Sequence, residues 1–330
     1  MDTIGLTEKD HTDDYAVLAP ILHLTANISQ VPKRSPLRYP GGKTWMTPLL
    51  RLWLKSIDIE SKKFIEPFAG GASASLLAVD EKLCDQAYFA ELDPKVAKLW
   101  KCILSEEGPL LADSIVEFKL NKKNVKTILG PQRGRWSDRK KALAVIVQNR
   151  TQRGGIMAPG AGRLKEGENG NGLKSRWYPE TLSKRIKHIH SLNPKLHFTA
   201  GDGFTILEKF SKDPNAIAFV DPPYYVAAER LYACWKMDHK HLFTTLSNFQ
   251  GNFLLAYDDA PEIREWVKEF KFQAVEVAMK TTNHAKKNEL IISRNLDWAI
   301  QRTPKSSQEI APLVQDLIRE NKSGSNRPAA

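Results

Sequence analysis

Ala216-Ile217-Ala218-Phe219-Val220-Asp221-Pro222-Pro223-Tyr224 is an apolar strand that runs straight into two prolines. Proline fixes φ and has no backbone N–H, so the strand stops at Asp221 with its carbonyls pointing outward. Working outward from this stretch, strand and helix patterns alternate. Upstream, 63–66 and 87–91 read as strands, with helices over 72–79 and 94–104. A third strand covers 196–199 and is followed by a helix near 205–210. Downstream, Asp238 is placed to cap a helix that reaches about 249. A strand over 252–257 and a helix over 261–270 follow it. Two β-rich runs, 272–279 and 289–293, close the series as a hairpin. Repeated strand–helix units predict an α/β fold with a doubly wound, mostly parallel sheet and a terminal β-hairpin.

The chain has 330 residues, with 49 lysines and arginines against 38 aspartates and glutamates, a net charge of +11. The basic excess favours a polyanionic partner. Apolar and charged fractions are those of a globular protein, and no apolar run approaches the ~20 residues of a membrane span. The acidic start, with Glu8, Asp10, Asp13 and Asp14, lacks the apolar core of a signal peptide. Cys84, Cys102 and Cys234 form no CxxC and are odd in number, so they read as free thiols in a cytoplasmic protein. Residues 1–34 read as a partly disordered leader and 303–330 as a mobile tail, within which 308–319 has the composition of one amphipathic helix. Alternation breaks over 105–195, a basic segment with eight glycines from Gly134 through Gly172. A structureless loop of that length is improbable, so the segment reads as an inserted subdomain.

Four constellations carry chemistry. Ligands bind outside the carboxyl ends of strands in open parallel sheets. There Asp221, the Pro222 carbonyl and the Tyr224 ring offer two acceptors and an aromatic face, a set that suits a planar group bearing an NH₂. Phe64-Ile65-Glu66-Pro67-Phe68-Ala69-Gly70-Gly71 reads as strand, glycine turn, then helix. Some twenty residues later Glu91 ends a strand, where a carboxylate can take ribose hydroxyls. The glycine spacing is not that of a pyrophosphate site, so a nucleoside cofactor without pyrophosphate, such as S-adenosylmethionine, fits better. Arg38-Tyr39-Pro40-Gly41-Gly42-Lys43 precedes a helix start and suits an anion, the methionine carboxylate or a phosphate. Asp202, in Ala200-Gly201-Asp202-Gly203-Phe204, sits at the same sheet edge and is placed to accept from an adenine amino group or to close a turn. The pairs His188/His190 and His239/His241 have a helical spacing that does not put both rings on one face, and no metal site is expected. Trp53, Trp100, Trp235 and Trp266 read as packing residues.

Taken in order, these motifs resemble the Dam-type, D12-class family of DNA adenine-N6 methyltransferases with the α-type motif order. The resemblance spans about 37–294. It rests on Arg38 to Lys43, Phe64 to Gly71, Glu91-Leu92-Asp93, Asn149-Arg150-Thr151, Asp202, Asp221 to Tyr224, Tyr257-Asp258-Asp259 and Lys287-Asn288-Glu289-Leu290. It implies a Rossmann-like methyltransferase core over 35–104 and 196–302, with 105–195 as a target-recognition insertion. It also implies methyl transfer from S-adenosylmethionine to adenine N6 in flipped-out duplex DNA, without a metal. Asp221, Pro222 and Tyr224 would be catalytic. Tyr39, Gly42, Lys43, Glu66, Phe68, Gly70, Glu91, Asp202 and Asp221 would hold the cofactor, and Arg150 and Arg163 would contact DNA. Glu91 stands where the family usually has an aspartate. Double-stranded DNA is the implied partner, with room for a cognate restriction endonuclease. The alternatives are methylation of another amino nitrogen (cytosine N4, an RNA base or a glutamine amide) or a non-catalytic DNA-binding regulator on the same fold.

Overall fold

The computed structural model describes residues 17–18, 31–39, 42–131, 136–158, 160–164, 172–225, 234, 236–280 and 286–300. They form one sheet of β1 (Val17–Leu18), β2 (Lys63–Glu66), β3 (Gln86–Glu91), β4 (Leu196–Ala200), β5 (Ala216–Val220), β6 (Asn252–Asp258), β7 (Gln273–Lys280) and β8 (Lys286–Ser293). The order across the sheet is β1-β7-β8-β6-β5-β2-β3-β4. From β4 to β6 every pairing is parallel, and β8 runs antiparallel to both β6 and β7. The doubly wound sheet with a terminal hairpin is therefore present. One element was not foreseen: within the stretch read as a leader, β1 pairs in parallel with the outer strand β7. A strand of two residues carries no periodicity to read.

Side chains alternate across the sheet with the period of two that a strand imposes. Phe64, Phe219, Leu254 and Ala256 enter one apolar layer, and Ile65, Val220, Leu255 and Tyr257 enter the other. The first layer packs under α1 (Thr47–Ser56), α2 (Ser73–Asp80) and α3 (Pro94–Ile103). The second packs under α8 (Gly203–Phe210), α9 (His239–Ser247) and α10 (Pro261–Glu269). Each wholly buried phenylalanine, such as Phe64, Phe89 or Phe219, contributes about 1.5–3 kcal/mol over an exposed one. A short helix, α11 (Asp297–Ile300), follows the hairpin.

The basic segment after α3 is helical. It contains α4 (Glu107–Glu117), α5 (Lys122–Ile128), α6 (Asp138–Thr151) and α7 (Pro179–Ser191). Leu111, Ile115, Ile146, Val147, Leu182 and Ile186 of these helices belong to the same buried cluster as Trp100 of α3. These helices thus share a core with the sheet. The expected helix over 308–319 lies outside the described residues.

The chain runs from β2 out through β3 to β4, and then returns to place β5 on the other side of β2. That reversal opens a crevice at the carboxyl ends of β2 and β5, where open α/β sheets bind ligands.

Candidate active site

The strand ends bring the predicted residues to one edge. Glu66 ends β2, Glu91 ends β3, and Asp221 follows β5. A cavity of about 830 Å³ opens there. Tyr39, Gly42, Lys43, Glu66 and Phe68 line it, as do Gly70, Glu91, Asp202 and Asp221. Residues separated by up to 182 positions in sequence thus share one space because the sheet order places their strands side by side. Pro40 and Gly41 lie outside the described residues.

The glycine turn is shaped by Tyr39. Gly70 has φ +50°, and a Cβ there would lie 2.6 Å from Cε1 of the Tyr39 ring. Only glycine accepts both the left-handed backbone and that approach. The Gly70 carbonyl accepts from the indole N–H of Trp100 at 2.9 Å, so the packing residue of α3 also fixes the turn. Glu66 accepts from the backbone N–H of Ser75 at 2.7 Å, in the first turn of α2. Burial pushes its carboxyl up to about 7. Glu91 accepts from the Asp93 N–H at 2.7 Å and is also pushed up to about 7 by burial. Asp202 caps α8, accepting from the Phe204 N–H at 3.0 Å. It therefore makes the turn contact that is the commoner meaning of such a residue, while still lining the cavity.

Lys43 departs from its reading as an anion holder. It is 3% exposed. Its Nζ donates to Asp221 Oδ1 at 2.6 Å and to the Tyr224 hydroxyl at 2.7 Å, and lies 3.8 Å from Glu289 Oε2. The Tyr224 hydroxyl in turn donates to Glu289 Oε1. A cation held by the site's own carboxylates is not presented to a further anion. Tyr224 is correspondingly not an open stacking face: it is 4% exposed, and Lys43 Nζ sits 4.8 Å from its ring centroid. Burial holds the Asp221 carboxyl above its ordinary value, and the Lys43 ammonium works against that shift. Asp258, at the end of β6, accepts from the Tyr225 N–H at 3.0 Å and so anchors the residue after Tyr224.

The two arginines read as DNA contacts separate. Arg163 is exposed beside Gln152, outside the cavity. Arg150 is 5% exposed and lines the cavity from within, with its guanidinium donating to the Pro36 carbonyl. Its neighbour Asn149 accepts from the Arg38 N–H at 2.9 Å and donates to the carbonyls of Arg38 and Gly155 at 2.8 and 2.9 Å. The Asn-Arg motif of α6 thus clamps the segment carrying Arg38 and Tyr39. A Cβ on Gly155 would come within 2.3 Å of the Arg38 carbonyl oxygen, which is why the loop after α6 needs glycine there.

The family described as D12 class N6 adenine-specific DNA methyltransferase matches residues 166–283. This is the family that the motifs resemble. The match supports methyltransferase activity, with S-adenosylmethionine as the methyl source. No curated protein matches the chain in sequence. Among solved structures, the rRNA methyltransferase aviRa from Streptomyces viridochromogenes is 12% identical with a TM-score of 0.34, over 86% of this chain and 95% of that one. The B. subtilis M1A22 tRNA methyltransferase TrmK is 11% identical with a TM-score of 0.32, over 83% and 97%. Likeness at this level carries no substrate information.

The residues of this cavity fit a nucleoside cofactor. The close Tyr39–Gly70 approach forms a tight wall, the Glu91 carboxylate faces the cavity, and Phe68 and Phe204 meet edge to face at 6.0 Å beside Asp202. Among the described residues no group of three or more His, Cys, Asp or Glu is arranged to hold a metal ion, and no helix is long and apolar enough to cross a membrane. Sequence reasoning quoted Glu289 without giving it a role. Its signal was a carboxylate beside the apolar run Leu290-Ile291-Ile292, because a charge in a buried strand needs a partner.

Proposed function

We propose that this protein is a methyltransferase that transfers a methyl group from S-adenosylmethionine to adenine N6 in double-stranded DNA. The observation that carries the reading is that Asp221 and the glycine turn at Gly70 open on one cavity at the reversal of the sheet. An acceptor carboxylate next to a nucleoside-shaped cradle suits methylation of a planar amino group. The family match favours adenine in DNA among such groups.

In this reading the target base is turned out of the duplex into the cavity. Asp221 and the Pro222 carbonyl each accept one N–H of the amino group, which orients the nitrogen lone pair. S-adenosylmethionine supplies the methyl group on a sulfonium, which keeps the S–C electron pair when the bond breaks. As the N–C bond forms, the nitrogen carries one proton too many, and the Asp221 carboxylate is aligned to receive it. Lys43 holds Asp221 in place at 2.6 Å. Tyr224, hydrogen-bonded to Lys43 and Glu289, braces that ion pair from behind. Glu91 takes the ribose hydroxyls, and Asp202 with Phe68 takes the cofactor's adenine. Tyr39, Gly42, Glu66 and Gly70 shape the cradle, while Arg163 and the helices of 105–195 meet the duplex outside the cavity. Pairing with a restriction endonuclease is compatible with this chemistry and leaves no mark in these residues.

The test is in vitro transfer from labelled S-adenosylmethionine to duplex DNA and, separately, to transfer and ribosomal RNA, with nucleosides identified by mass spectrometry. N6-methyladenine from duplex DNA alone is expected. Methylated RNA, or cytosine N4 as the modified position, contradicts the substrate assignment.

A further inference from the structure

The carboxylate of Glu289 is out of place in the strand that carries it. β8 continues as Leu290-Ile291-Ile292, and Glu289 is 0% exposed. Ile291 enters the apolar layer that packs under α1, so Glu289, two residues earlier, is directed to the same side of the sheet. Its partner across the β6–β8 ladder is Asp258, also buried, which shares that side. Two acidic residues opposite each other in a buried pairing cost stability, and a hairpin that only closed the sheet would carry apolar residues at both places.

Each carboxylate holds one residue of the turn after β5. Asp258 accepts from the Tyr225 N–H at 3.0 Å, and Glu289 accepts from the Tyr224 hydroxyl. A hydroxyl has one proton to give. With that proton committed to Glu289, the Tyr224 oxygen turns a lone pair to Lys43, whose Nζ donates to it at 2.7 Å and to Asp221 Oδ1 at 2.6 Å. Lys43 Nζ is also 3.8 Å from Glu289 Oε2. Lys43 and Asp221 line the cavity, and Tyr224 and Glu289 do not. A chain of contacts thus runs from the terminal hairpin, through Tyr224 and Lys43, to the carboxylate at the cavity wall.

We propose that Glu289 is a positioning residue for methyl transfer: it fixes the Tyr224 hydroxyl, which fixes Lys43, which holds the Asp221 carboxylate in the orientation that meets the amino group. The role rests on the reading of Asp221 as the acceptor of that group. Glu289 itself touches neither cofactor nor base. It therefore acts on the rate of transfer and leaves cofactor binding as it is, because a reacting group misplaced by about 1 Å loses up to about a hundredfold in rate. The hairpin that closes the sheet is thereby part of the support of the site.

Single-turnover transfer from labelled S-adenosylmethionine to amplified, unmethylated genomic DNA tests this chain of contacts in the wild type, Glu289→Met, Tyr224→Phe and the double variant. Rates are expressed per S-adenosylhomocysteine-binding site counted by calorimetry, which removes any loss of folded protein. Each single variant is expected to slow transfer by about tenfold to about a hundredfold, with S-adenosylhomocysteine affinity within about twofold of wild type. The double variant is expected to be no slower than the slower single one, because both substitutions interrupt the same chain. Tyr224→Phe removes one oxygen and keeps the ring, so it decides the matter if Glu289→Met does not fold. A wild-type rate in Tyr224→Phe, losses that multiply in the double variant, or cofactor affinity that falls along with the rate each overturn the positioning role. Transfer by the wild type to a different amino acceptor overturns the DNA reading alone, and the same rates on that acceptor then decide for Glu289. A folded, cofactor-binding wild type that transfers to no acceptor overturns both.

Discussion

Replacing Lys43 with methionine tests the buried network on which Asp221 depends. The ammonium is almost wholly enclosed and is shared by Asp221, the Tyr224 hydroxyl and Glu289. Methionine fills the space but leaves two carboxylates facing each other. Removing one partner of a buried ion pair costs about 3–5 kcal/mol, because the remaining charge is uncompensated. The loss should show as reduced unfolding free energy in urea titrations followed by tryptophan fluorescence at neutral pH. Without Lys43, the buried Asp221 carboxylate loses its ammonium partner and favours its protonated form in the folded state. A carboxyl raised above its unfolded value of about 4 costs nothing below that value and progressively more as pH rises through the folded one. The deficit against wild type should therefore be largest at about pH 7.5 and shrink toward about pH 4.5. A deficit under about 1 kcal/mol, or one that does not change with pH, would refute the claim that Lys43 compensates the Asp221 charge.

The cradle gives two more predictions. Burial raises Glu91 to about 7, so a role in binding ribose as a carboxylate requires cofactor affinity to rise about tenfold from about pH 6 to about pH 8, and Glu91→Gln to flatten that rise in calorimetric titrations with S-adenosylhomocysteine. Gly70→Ala puts a methyl group within 2.6 Å of the Tyr39 ring on a left-handed backbone. It should weaken the same ligand at least about tenfold while costing only about 1–2 kcal/mol of stability, and unchanged affinity would remove Tyr39 and Gly70 from the cradle.

Local signals carried much of this molecule, and long-range ones did not. The bounds of β2 and β5 coincide with the sequence reading because each strand is stopped by proline or a charged residue at a fixed place. Asp238 was legible as a cap from its position before an apolar periodic run, and its Oδ1 does accept from the His241 N–H at 2.9 Å. The glycine turn, Glu91 and Asp221 were legible because strand–turn junctions have their own composition. The pairing of Lys43 with Asp221 and Glu289 was not, since three strand or helix ends meet there only through the sheet order. The burial of Arg150 escaped for the same reason: a basic residue at the end of α6 reads as surface until α7 and the Pro36 segment are seen to close over it. Trp235 lies outside the described residues, whereas Trp53 and Trp100 are buried as packing residues should be.

The most direct measurement of the central claim is methylation mapping of genomic DNA from cells expressing the chain, beside cells expressing Asp221→Ala. N6-methyladenine at one recurring sequence, absent from the variant although it folds and still binds S-adenosylhomocysteine, is the predicted result. Equal methylation in both cultures, or none from a folded, cofactor-binding wild type, would contradict the assignment of Asp221 as the acceptor that orients an adenine amino group in DNA.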